Sequence, residues 1–151
     1  MLRLSKLTDY AVVVLTTMAR TDGALHTAAS LTERTGLPAP TVQKLLKLLA
    51  RGDILASHRG ATGGYTLARP PCGITVAQII EAIDGPIALT DCVDGQTGSC
   101  GVESLCARRG SWDKVNRAVR RALDDVTLAD MAAPPLFFDA PAPERGTALA
   151  G

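Results

Sequence analysis

The chain has 151 residues, 46% of them hydrophobic but only 3% aromatic. That is enough for one good core, built from aliphatic side chains, with an appended element. The net charge of +1 hides an asymmetry: residues 1–71 carry nine Lys or Arg against four acids, and residues 72–151 carry seven against eleven. A basic half joined to an acidic half places a polyanionic partner at one end only.

No secretory leader or membrane span is read. Asp9 precedes the apolar run 11–19, which is too short to cross a bilayer. The expected location is the cytoplasm, where thiols stay reduced and cysteines serve metals or redox chemistry more often than structural disulfides.

The first helix is predicted over residues 6–20, where Leu4, Leu7, Ala11, Val14, Leu15 and Met18 recur at three- and four-residue spacing. Thr27 suits the N-cap of a second helix through Arg34, with Ala28, Ala29 and Leu31 available for burial, and Gly36 stops it. A short turn leads to Pro40, which suits a first helical position. The third helix then runs to about Arg51, burying Val42, Leu45, Leu46 and Leu49 and leaving Gln43, Lys44, Lys47 and Arg51 outside. Two short helices joined by a tight turn, the second basic on its outer face, fit a helix-turn-helix.

Residues 54–58 and 65–69 read as strands around the glycine-rich turn at 59–64, a β-hairpin placed as a wing. The Thr75–Gln78 capping box opens a helix to about Asp84, with Val76, Ile79, Ile80 and Ile83 inward. After a cysteine-bearing loop, Ser111 suits the cap of a long helix over 112–125, striped by Trp112, Val115, Val119, Ala122, Leu123 and Val126. Residues 127–131 add a final turn, and from residue 132 the Ala/Pro composition reads as a disordered tail.

The expected fold is therefore an α-rich winged helix-turn-helix with a small β-hairpin wing and a long C-terminal dimerisation helix. Three regions are expected: a DNA-binding domain over 1–71, a cysteine-loop and dimerisation region over 72–131, and the tail over 132–151.

DNA contact is assigned to Thr41, Gln43, Lys44 and Lys47 on the third helix and to Arg59, Gly63, Gly64 and Tyr65 in the wing. Lysine and arginine neutralise phosphates, Gln bonds adenine edges, and Arg enters narrow minor grooves. Gly63 and Gly64 serve turn geometry, and Tyr65 packs under the wing or meets a phosphate. The partner is a double-stranded DNA operator. A two-fold site calls for a two-fold protein, so Trp112, Val115, Val119 and Leu123 are assigned to a homodimer interface.

Three of the four cysteines, Cys92, Cys100 and Cys106, lie within fifteen residues among Gly95, Gly98 and Gly101. The intervals of seven and five residues are not the close pairs of a zinc finger. Thiolates among glycines point to an iron–sulfur cluster, with zinc, a disulfide or inert thiols as alternatives. Cys72, beside Pro71, reads as a structural thiol. No nucleophile has a matched His and acid, and no phosphate-binding fingerprint opens a helix. An enzyme acting on a small-molecule substrate is not expected.

Several segments resemble the IscR/NsrR-type iron–sulfur winged-helix regulators, with the SUF-operon regulator the most similar subtype. They are residues 4–11 (LSKLTDYA), 46–52 (LKLLARG), 57–67 (SHRGATGGYTL) and 82–86 (AIDGP), followed by the three cysteines in order. The resemblance spans about residues 2–131. It implies a cluster-sensing repressor of a SUF-type cluster assembly operon, holding a 2Fe–2S or 4Fe–4S cluster on Cys92, Cys100 and Cys106. The alternative is a winged-helix repressor that senses oxidants or nitric oxide through its cysteines or cluster.

One position departs from the family. IscR-type members place a histidine ligand three residues after the last cysteine, where this chain has Arg109. Arginine stays protonated and offers no lone pair to iron. NsrR-type members use an aspartate of the first helix from the other subunit, and Asp9 occupies that motif position. Asp91, Asp94 and Glu103 are rivals for the fourth ligand.

Overall fold

In the computed structural model, residues 3–21, 23–90, 93 and 111–134 are described. Among them the order is α1 (Lys6–Ala19), α2 (Ala28–Thr35), α3 (Ala39–Arg51), β1 (Leu55–His58), β2 (Gly64–Leu67), α4 (Val76–Asp84), α5 (Ser111–Asp124) and α6 (Leu128–Ala132). A single 3-10 turn, Pro71–Gly73, separates β2 from α4.

Local chemistry starts these helices. Ser5 Oγ accepts the Thr8 N–H at 3.1 Å and caps α1. Thr27, Thr75 and Thr127 each form a reciprocal capping box, with Ser30, Gln78 and Asp130 respectively. Such caps satisfy N–H groups that a first helical turn leaves orphaned, each contributing about 1 kcal/mol.

Some boundaries differ from expectation. Helix α3 begins at Ala39 with Pro38 at its N-cap, so Pro40 is second rather than first. Ser111 is the first residue of α5 rather than its cap. The strands are the four-residue runs 55–58 and 64–67, in antiparallel register from Leu55↔Leu67 to His58↔Gly64. Ala68 N–H still reaches Ile54 O at 3.0 Å, which prolongs the hydrogen bonding past the last strand pair.

The core joins Ala11, Val14, Leu15 and Met18 of α1 to Leu31 of α2, to Val42, Leu45, Leu46 and Leu49 of α3, and to Ile79 of α4. Fully burying one such aliphatic chain contributes about 1.5–3 kcal/mol. The final turn is a structural element: Leu128 of α6 is fully buried in that same core, and α6 packs on α1. Leu128 N–H donates to Ile74 O at 2.8 Å and Val76 N–H to Val126 O at 2.9 Å, which binds the start of α6 to the start of α4. Cys72 is exposed on the 3-10 turn, a correction to its reading as a structural thiol. The turn's inward anchor is Ile74, fully buried in the core, and this leaves the Cys72 side chain on the outer side.

Candidate DNA interface and cluster site

Helix α3 buries its apolar stripe completely, and this sets the opposite face outward. Gln43, Lys44, Lys47 and Arg51 are exposed there and Thr41 is half-buried. The side chains assigned to DNA therefore share one face, held by Leu45, Leu46 and Leu49 from behind.

Arg59 is exposed at the start of the wing turn. The turn closes through Gly63 N–H to Gly60 O at 3.0 Å. A Cβ at Gly63 would lie 2.7 Å from the His58 carbonyl oxygen, so the turn admits no side chain there. At Gly64 a Cβ would lie 2.6 Å from His26 O, because the wing strand is pressed against the segment before α2. Beyond it, Tyr65 N–H donates to His26 O at 2.8 Å and His26 N–H donates to Tyr65 O at 2.9 Å. The Tyr65 side chain is partly buried against the core. His58 Nε2 lies 3.0 Å from Thr66 Oγ1, bracing the hairpin across its strands.

His26 was not among the predicted site residues. Its side chain is buried, only 5% exposed, with Nε2 3.0 Å from Thr21 Oγ1. Burial, reinforced by the positive charge of Arg34, pushes its pKa below the usual imidazole range. The imidazole is consequently neutral at pH 7. Its location has no periodic signature, since a lone residue between two helices shows no pattern.

Asp9 lies in the first turn of α1 and is exposed. Among the described residues its carboxylate makes no hydrogen bond or ion pair, the state required of an available ligand. It borders a hollow of ≈350 Å³ also lined by Leu4, Val12, Ile79, Ile80 and Met131. A second hollow of ≈350 Å³ is lined by Leu4, Ile80, Ile87, Leu89, Val119 and Leu123. Trp112, at 46% exposure, and Val115, at 43%, are exposed, while Val119 and Leu123 are half-buried. The N-terminal part of the apolar stripe of α5, at Trp112 and Val115, is thus exposed.

Cys92, Cys100 and Cys106, with the rival ligands Asp91, Asp94 and Glu103, lie outside the described residues. Among the described residues no three His, Cys, Asp or Glu side chains form a metal-binding group. The donor chemistry fits a cluster nonetheless: three potential thiolates in sequence and a carboxylate exposed on another element. Arg109 supplies no donor.

A helix-turn-helix and a hairpin wing, with basic side chains on an outer face, define a winged-helix DNA-binding protein. A family model described as an iron-dependent transcriptional regulator, Rrf2, matches residues 4–134, and the chain belongs to the Rrf2 family of transcriptional regulators. It is not an enzyme. A protein of Mycobacterium tuberculosis, named as a helix-turn-helix-type transcriptional regulator, is 32% identical over 133 residues, covering 87% of this chain and 81% of the relative. The solved structure of CymR, the global cysteine regulator of Bacillus subtilis, superposes with a TM-score of 0.66 at 28% identity, covering 87% of this chain and 97% of that one. The IscR structure from T. potens superposes with a TM-score of 0.61 at 32% identity, covering 86% and 85%.

Proposed function

We propose that this chain is a homodimeric, cytoplasmic, iron–sulfur-cluster-sensing repressor of a SUF-type cluster assembly operon. The observation that carries the reading is the order of parts: three cysteines among glycines stand between a winged-helix reader and a helix with an exposed apolar stripe. Similarity to T. potens IscR supports it.

In this reading Cys92, Cys100 and Cys106 hold one cluster per subunit, and Asp9 of the partner subunit supplies the fourth ligand. The bound cluster would bring a labile inorganic centre responsive to supply and oxidation. The chain's own parts do the remaining work. Trp112, Val115, Val119 and Leu123 bury their apolar surface against a second copy. Lys44, Lys47 and Arg59 neutralise phosphates or enter a groove, and Thr41 and Gln43 meet base edges. Ligation favours one angle between the two reading heads, and the operator selects between angles. A difference of about tenfold or more in operator affinity between the two forms shifts occupancy when the protein works near its dissociation constant.

A second reading has the cysteines respond directly to oxidants. Similarity to an oxidized form of Staphylococcus aureus CymR supports it, at 25% identity and a TM-score of 0.62. Iron and acid-labile sulfide analysis of protein purified without oxygen separates the two. The cluster reading requires both elements in native protein and their loss in Cys92→Ala, Cys100→Ala and Cys106→Ala. Native protein free of both, with a folded winged helix, leaves the oxidant reading.

A further inference from the structure

We propose that Asn116 is the positioning residue that holds residues 87–89, the segment leading to Cys92, to α5, an inference that rests on the cluster-sensing reading above. Asn116 is the buried residue of α5, with only 3% of its surface exposed. Its Nδ2 donates to Ile87 O at 2.8 Å and its Oδ1 accepts from Leu89 N–H at 3.1 Å. One planar amide thus holds a carbonyl and an N–H two residues apart, in the segment that leaves α4. Cys92 follows Leu89 by three positions.

Other polar links of α5 run to α4 and its cap. Arg120 Nη2 pairs with Glu81 Oε1 at 3.1 Å, and Thr75 Oγ1 donates to Asp124 Oδ1 at 3.1 Å. Both are exposed, and exposed pairs yield readily to water. The Asn116 amide is itself buried and its two bonds are partly buried, so losing them leaves a buried polar group unsatisfied, which is costly. A displacement of residues 87–89 therefore either carries α5 with it or breaks both bonds to the Asn116 amide. The amide is specific to this task. Aspartate keeps the acceptor for Leu89 N–H but has no donor for Ile87 O, and leucine has neither.

If Asn116 only stabilised the fold, its loss would lower stability and leave the response to the cluster intact. The test uses full-length native protein, Asn116→Asp, Asn116→Ala and Arg120→Ala, each prepared without oxygen in cluster-loaded and metal-free forms. The probe is a duplex selected from random DNA by the native protein. Iron and sulfide per chain are measured with the duplex affinity of both forms. Native protein should show an affinity ratio of at least about tenfold. Asn116→Asp should load as the native protein does, with a ratio within about twofold of one, while Arg120→Ala keeps the native ratio.

A native ratio in loaded Asn116→Asp overturns the proposal, as does an equal collapse in Arg120→Ala. Native protein without iron and sulfide overturns the sensing reading and this inference with it. Should both Asn116 variants fail to melt cooperatively, hydrogen exchange at the Leu89 amide of native protein decides. Protection must differ between loaded and metal-free forms, and equal protection overturns the coupling.

Discussion

Thr8 Oγ1 donates to Asp84 Oδ2 at 2.7 Å, joining the first turn of α1 to the last residue of α4. Ser5 Oγ donates to the other oxygen, Oδ1, at 2.9 Å. A carboxylate at a helix C-terminus opposes that helix's own dipole. Asp84 is offset by lying at the positive end of α1, against two hydroxyl donors. Thr8 is only 1% exposed, so its hydroxyl has little access to water if Asp84 is removed. Asp84→Ala should destabilise the fold by about 1–3 kcal/mol, read as a lower urea midpoint at unchanged slope. A midpoint equal to that of the native protein would show that the contact is energetically idle.

The His26–Tyr65 pairing gives a second prediction. Gly64→Ala places a methyl 2.6 Å from a backbone oxygen, which cannot rotate away as a side chain would. The wing must separate from the segment before α2. Operator affinity should fall about tenfold or more, the effect of losing one or more kcal/mol of preorganisation, while helix content by circular dichroism stays native. Native affinity in a folded Gly64→Ala protein would show that wing position does not govern binding.

His26 predicts a pH dependence of stability. Its folded pKa lies below the unfolded value of 6.5 because burial, then Arg34, disfavours the cation. Between the folded pKa and 6.5 the unfolded chain binds more protons, so stability rises with pH across that window. Stability is therefore complete above the unfolded pKa and is lost as pH falls through the folded one. Urea midpoints measured downward from pH 7 should decline, and His26→Leu should flatten that part of the decline. An identical decline in the variant would assign it to other groups.

Much of this architecture was readable from side-chain order alone. The stripe Val42, Leu45, Leu46 and Leu49 repeats often enough to orient α3, and the Thr75–Gln78 box marks the start of α4 by local chemistry. Leu128 was harder, because five residues of α6 are too few to display a period, and its burial depends on Ile74 and α1. Asn116 was invisible, since its partners at Ile87 and Leu89 lie 29 and 27 residues away. The stripe of α5 was legible as apolar, but pattern alone does not distinguish packing within one chain from an exposed face. Gly63 and Gly64 were read as turn residues, whereas at Gly64 the demand is close approach to another backbone.

The basic face of α3 predicts a salt effect. Lys44 and Lys47 are exposed beside Gln43 and have no ion pair among the described residues. Lys44→Ala and Lys47→Ala should each weaken binding to all sequences similarly and reduce the slope of log affinity against log salt by about 1. A loss confined to one operator position, with the slope unchanged, would instead assign a lysine to base reading.

We propose that occupancy of the cysteine loop changes how tightly the winged helices hold DNA. The direct measurement is an anaerobic operator titration of native protein, cluster-loaded and metal-free, with the visible spectrum followed at each addition. The two forms should differ at least about tenfold in affinity, within the range of ordinary allosteric coupling, and the spectrum should persist through the titration of the loaded form. Equal affinities in protein that demonstrably carries iron and sulfide would contradict it.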